Sequence, residues 1–210
     1  MRNPSRAILA VLCGLALLTA ACEPVDTGTA ATPRDPSAAR TQLSKLTVGK
    51  WHSMAGYSRE KFPHWRQQGD DCDTRDMVLQ RDGVGVKLRT GCKIVAGSWT
   101  SAYDDKTFTE PTGMDIDHVV PLAAAWRTGA DKWTDAQRGD FANDMDRPQL
   151  IAVSATSNRS KGDQDPSQWK PPNQAHWCDY AHNWITVKAY WKLFVTDAEQ
   201  RARGDMLATC

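Results

Sequence analysis

The chain has 210 residues, a hydrophobic fraction of 40% and nine tryptophans, which is enough for one cored domain with or without a tail. Its formal net charge of +1 excludes a strongly basic surface, so binding of a polyanion has to rest on local clusters or on a metal.

Residues 1–22 carry Arg2 and Arg6, then an apolar run from Ala7 to Ala20, then small residues before Cys22. This is the pattern of an export leader. "LTAAC" (18–22) resembles a bacterial lipobox, which makes Cys22 the expected lipidation site and places the protein outside the cytoplasm, secreted or anchored by lipid to the outer face of the cell membrane. Loss of the leader removes two arginines and no acids, leaving a net charge of −1. Residues 23–45, rich in Thr, Ala, Pro and Ser, read as a flexible tether to a domain over 46–210.

Within the domain, "YSREKFPHW" (57–65) suggests a short helix or turn. "RDMVLQRDG" and "GVKLRTGCKIVAGSW" are expected as strands joined at Asp82-Gly83. Cys72, Cys92, Cys178 and Cys210 form an even set suited to two disulfides in an oxidising compartment. Of three pairings, Cys72 with Cys92 and Cys178 with Cys210 are favoured because each closes a local unit. Arg75, in "CDTRD" beside the first pair, is the arginine of this half best held to face a substrate.

Next come a strand ending at Asp117-His118, a break at Pro121, a helix or loop over "LAAAWRTGADKW", and a short strand in "RPQLIAVS" (147–154). "ATSNRSKGDQDP" (155–166) is a short helix that Ser154 can cap and Gly162 can end. Thr134 caps a helix in "TDAQRGDFAND", and "TDAE" (196–199) is a capping box opening the last helix. Between them Trp177, Tyr180, Trp184, Val187 and Trp191 recur at three and four residues, the spacing of a core-facing helical stripe.

The strand, connection, strand, helix order brings Asp117 and His118 toward Asn158. Those residue types suit phosphodiester hydrolysis. A neutral histidine can take a proton from water near pH 7, and a hard divalent ion on carboxylate and amide oxygens can absorb negative charge. His52, His64, His176 and His182 share no metal-ligand spacing, which argues against a structural zinc.

"DIDHVVPL", "PQLIAVSATSNRSKGD" and "DPSQW" resemble the HNH (His-Asn-His, ββα-metal) nucleases, and most closely their secreted branch related to the C-terminal domain of GmrSD-type restriction endonucleases. "YSREKFPHW", "CDTRD", "GSWTSAYDD", "AAAWRTGADKW", "FAND" and "CDYAHNWITVKAYW" extend the resemblance over most of residues 50–210. It implies an α+β fold with a ββα-metal core, a small N-terminal antiparallel sheet, C-terminal helices and disulfide staples. It implies His118 as general base, Asp117 and Asn158 as ligands of a divalent metal (Mg²⁺ first, Mn²⁺ or Zn²⁺ as alternatives), and Lys161 as a phosphate contact. At the middle motif position an Asn usually orients the histidine or braces the loop, and Gln149 stands nearest here. The expected activity is that of an exported endonuclease on DNA or RNA. The alternative is a binding module that keeps this scaffold without turnover, and a hydrolase of cell-wall polymer lacks the paired carboxylates it would need.

Overall fold

Residues 35–210 are described by the structure, a computed structural model. The leader, Cys22 and the first part of the expected tether lie outside the described residues. The last part of that segment is helical. Asp35 accepts a hydrogen bond from the Ser37 amide, Pro36 fits the first helical position, and helix α1 runs Pro36–Ser44. Its Ala39 and Leu43 are buried in the main core.

Strands β1 (Gln67–Gly69) and β2 (Cys72–Asp73) form a small antiparallel pair, and helix α2 (Thr74–Asp82) follows at once. This corrects the strand expected over 75–83. Asp73 and Asp76 form a reciprocal capping box that starts a helix, and its Val78 and Leu79 are buried. The contiguous apolar residues Met77 to Leu79 fit either period, and the cap decides. The corner at Asp82-Gly83 therefore joins a helix to a strand. A side chain at Gly83 would meet the Trp99 ring at 2.5 Å, while Trp99 Nε1 donates to the Leu79 carbonyl at 2.8 Å.

Strands β3 (Val84–Arg89), β4 (Lys93–Thr100) and β5 (Thr107–Phe108) make an antiparallel meander. The Cys72–Cys92 disulfide ties its hairpin turn to the start of α2. A separate antiparallel pair, β6 (Met114–His118) and β7 (Leu150–Ser154), is in register with Asp117 opposite Ile151 and His118 opposite Leu150. Helix α2 covers this pair: Arg81 donates to the Leu150 carbonyl at 2.6 Å, and Asp82 accepts from the Ala152 amide at 2.8 Å.

Helix α3 (Leu122–Arg127) follows Pro121, and α4 (Asp135–Ala142) starts on a Thr134–Gln137 capping box. Helix α5 (Ala155–Lys161) is capped by Ser154 and stopped by Gly162, whose φ of 54° favours glycine. Helices α6 (Trp177–Tyr190) and α7 (Asp197–Leu207) close the fold. The expected aromatic stripe is real: Tyr180, Trp184 and Val187 are fully buried, with Trp177 and Trp191 packed against the same cluster. Trp184 Nε1 and Lys188 Nζ both meet Glu199 Oε1, Arg203 pairs with the same carboxylate, and Cys178–Cys210 ties the two helices. The fold is thus α+β, with small antiparallel sheets, seven α-helices among the described residues and both favoured disulfides.

Candidate functional site

Alternation along β6 sorts its side chains. Met114, Ile116 and His118 share one face, and Asp115 and Asp117 share the other. Helix α5 lies on the acidic face. Its Asn158 and Lys161, three residues apart and so on one helix side, meet the two acids. Asn158 Nδ2 donates to Asp115 Oδ2 at 3.1 Å, and Lys161 Nζ donates to both oxygens of Asp117 at 2.8 Å and to the His118 carbonyl at 2.9 Å. Tyr103 adds a hydrogen bond to Asp117 Oδ2 at 2.6 Å. Asp117, Lys161 and Tyr103 are all buried. Burial raises the pKa of Asp117 and lowers that of Lys161, and the attraction between the two opposes both shifts.

His118 is buried on the other side. Its Nε2 lies 2.9 Å from the Ala142 carbonyl, which can only accept, so Nε2 carries the proton and the neutral ring keeps Nδ1 as a base. Trp65 stacks on the imidazole at 5.7 Å and His64 meets it edge-on at 6.4 Å. Burial pushes the pKa of His118 down from 6.5 to about 3, against the pull of the Ala142 carbonyl. The ring is therefore uncharged at neutral pH.

Gln149 is fully buried and braces the loop after β6. Its amide accepts from the Val120 N–H at 3.0 Å and donates to the Val120 carbonyl at 2.9 Å, while its own carbonyl accepts from the Val119 amide at 2.7 Å. The longer side chain thus holds the turn that presents His118.

A cavity of about 270 Å³ opens beside these groups, lined by Tyr57, Arg59, Asp117, His118, Asn158 and Asp163 among others. The structure therefore gathers His118, Asp117 and Asn158 at one opening. The two expected substrate contacts, Lys161 and Arg75, do not face this opening. Lys161 has no exposed surface to offer a phosphate, because its ammonium is spent on Asp117. Arg75 donates to the Met114 carbonyl at 3.1 Å and so supports the start of β6, away from this cavity. Three contributors were not assigned a role from sequence: exposed Arg59 on the cavity wall, Tyr103 on Asp117, and Trp65 on His118. "YSREKFPHW" contains Arg59 and Trp65 and "GSWTSAYDD" contains Tyr103, yet only the fold shows what they face.

The donors do not fit a divalent ion as they stand. Asp117 already accepts three hydrogen bonds, and an ammonium 2.8 Å away cancels its charge where a cation would need it. Asp115 accepts from Asn158 Nδ2, a bond that leaves the Asn158 amide oxygen as the one donor of the expected pair not already engaged. Among the described residues no three His, Cys, Asp or Glu side chains are grouped to hold a metal.

The family model for the C-terminal domain of GmrSD restriction endonucleases matches residues 73–204. A curated relative from Arthroderma benhamiae, named an uncharacterized secreted protein, is 51% identical over 180 residues, which span 85% of this chain and 88% of the relative. No solved structure matches. With the matched span holding β6, β7 and α5 and with them Asp117, His118 and Asn158, the chain belongs to the family of GmrSD restriction endonuclease C-terminal domains.

Proposed function

We propose that the protein is an extracytoplasmic nucleic-acid-binding domain that uses the cavity beside His118 and keeps a nuclease scaffold without needing a resident divalent ion. The observation carrying this reading is the buried Lys161–Asp117 pair, in which an internal cation already holds the carboxylate a metal would use. Arg59 supplies positive charge on the cavity wall, and the family named for restriction endonucleases supplies nucleic acid as the class of partner. The leader-like residues 1–22, the two disulfides and the relative named as secreted support export. Among the described residues no helix is long and apolar enough to cross a membrane, and attachment in this reading comes from lipid on Cys22.

One observation favours a second reading, phosphodiester hydrolysis. His118 lines the cavity and its tautomer is fixed by Ala142, so Nδ1 is the ring nitrogen placed to take a proton from water attacking phosphorus, and the reading requires bound substrate or water to raise its pKa from about 3 toward neutrality. Asp117 and Asn158 as metal ligands belong to that reading alone, and it requires Lys161 to leave Asp117.

Incubation of the purified protein with plasmid and with RNA, with and without chelator and beside His118→Ala, separates the two. Retention of nucleic acid without cutting, unchanged by chelator, supports the binding domain. Chelator-sensitive nicking that His118→Ala abolishes supports the enzyme.

A further inference from the structure

The cavity wall leads to a second groove. Arg127, at the end of α3, donates to Asp163 Oδ2 at 3.0 Å and to the Asp163 carbonyl at 2.5 Å, and Asp163 lines the first cavity. The same guanidinium lies over the Trp51 ring at 4.5 Å, and Trp51 lines a groove of about 420 Å³ with Lys50, Gln168, Asp165, Asp197 and Arg201. Arg127 thus bridges a wall residue of one opening, Asp163, to a wall residue of the other, Trp51.

Charge along this path favours a polyanion. Lys50, Arg59 and Arg201 are exposed and make no ion pair among the described residues. Asp163 is matched by Arg127, and Asp165 is buried within the field of Arg203, which with Lys188 also offsets Glu199. Asp197 is the one groove carboxylate without such a match, in the first turn of α7 where a helix favours negative charge. The aromatic component is Trp51, an indole 42% exposed on a domain whose other tryptophans include fully buried Trp99 and Trp184.

We infer that Trp51 and its flanking cations extend the cavity into a track for single-stranded nucleic acid, one base stacking on the indole while Lys50, Arg201 and Arg59 face successive phosphates. A duplex keeps its bases stacked on each other and cannot lay one on an indole without unpairing, whereas a single strand can. The inference rests on the nucleic-acid reading above and adds to it the strand form and the second contact region.

Fluorescence anisotropy of the whole protein with a labelled oligothymidylate, and with a duplex of matched length, tests it. Trp51→Ala is expected to weaken single-strand binding about tenfold and duplex binding far less, with Trp51→Phe restoring most of the loss. The Lys50→Glu/Arg201→Glu pair is expected to weaken binding and flatten its salt dependence. All three variants alter exposed side chains, and circular dichroism checks that they fold. If Trp51→Ala binds the single strand as the parent does while Arg59→Ala loses it, the track is overturned and the cavity reading stands. Tighter duplex binding insensitive to Trp51 also overturns the track. If the unaltered protein binds neither probe, both readings fall.

Discussion

Lys161 Nζ stands 2.8 Å from each carboxylate oxygen of Asp117, and both side chains are buried between α5 and β6. With Asn158 on Asp115 one step along, this pair fastens the helix to the strand that carries His118. The ion pair thus serves as the structural clasp of the site and cancels its most buried negative charge.

Removing one partner leaves the other charge buried and alone. Lys161→Met is expected to destabilise the domain by ~3–5 kcal/mol, and Asp117→Leu with Lys161→Met together to cost less than Lys161→Met alone. Urea denaturation of the two variants measures the difference.

Acid should unfold the protein partly through His118. Its folded pKa of about 3 lies below the ordinary 6.5, so between those values the unfolded chain binds a proton that the folded chain does not. Stability therefore falls as pH drops from about 6.5 toward 3, by up to about 5 kcal/mol from this group. His118→Asn removes that part of the slope, which shows in paired denaturation curves across the acid range.

Gln149→Ala deletes both side-chain bonds to Val120 and leaves the buried Val120 N–H and C=O without those partners. A loss of about 2–4 kcal/mol is expected. Faster amide exchange at Val119 and Val120 than at Ile116 would localise the effect to the loop after β6.

The Cys178–Cys210 bond closes a separation of 32 residues. Cys178→Ser with Cys210→Ser is expected to cost ~3–4 kcal/mol and to loosen α7 first, a pattern that hydrogen exchange over Asp197–Leu207 resolves.

Local signals in the sequence carried most of the helical half. Thr134, Ser154 and Thr196 cap the helices they mark, and the aromatic stripe on α6 faces the core. The strands ending at His118 and Ser154 were legible from their apolar runs and the breaks after them. Asp73 and Asp76 gave a helix-start signal as good as Thr196 and Glu199, yet the apolar run beside them reads equally as a strand, and α2 was missed. Asp35-Pro36 likewise starts a helix that a polar, small-residue composition conceals. The state of the site was not legible. Lys161 and Asp117 are 44 residues apart, so their pairing depends on how α5 docks on β6 and not on any local pattern. The same holds for Tyr103, Trp65 and Arg59, which reach the site only through packing.

Calorimetric titration of the protein with Mn²⁺, alone and with a bound oligonucleotide, bears most directly on whether the Lys161–Asp117 pair fills the charge of this site. The expected outcome is no saturable manganese binding and an oligonucleotide affinity that chelator leaves unchanged. Stoichiometric manganese binding that Asp117→Asn abolishes would contradict it.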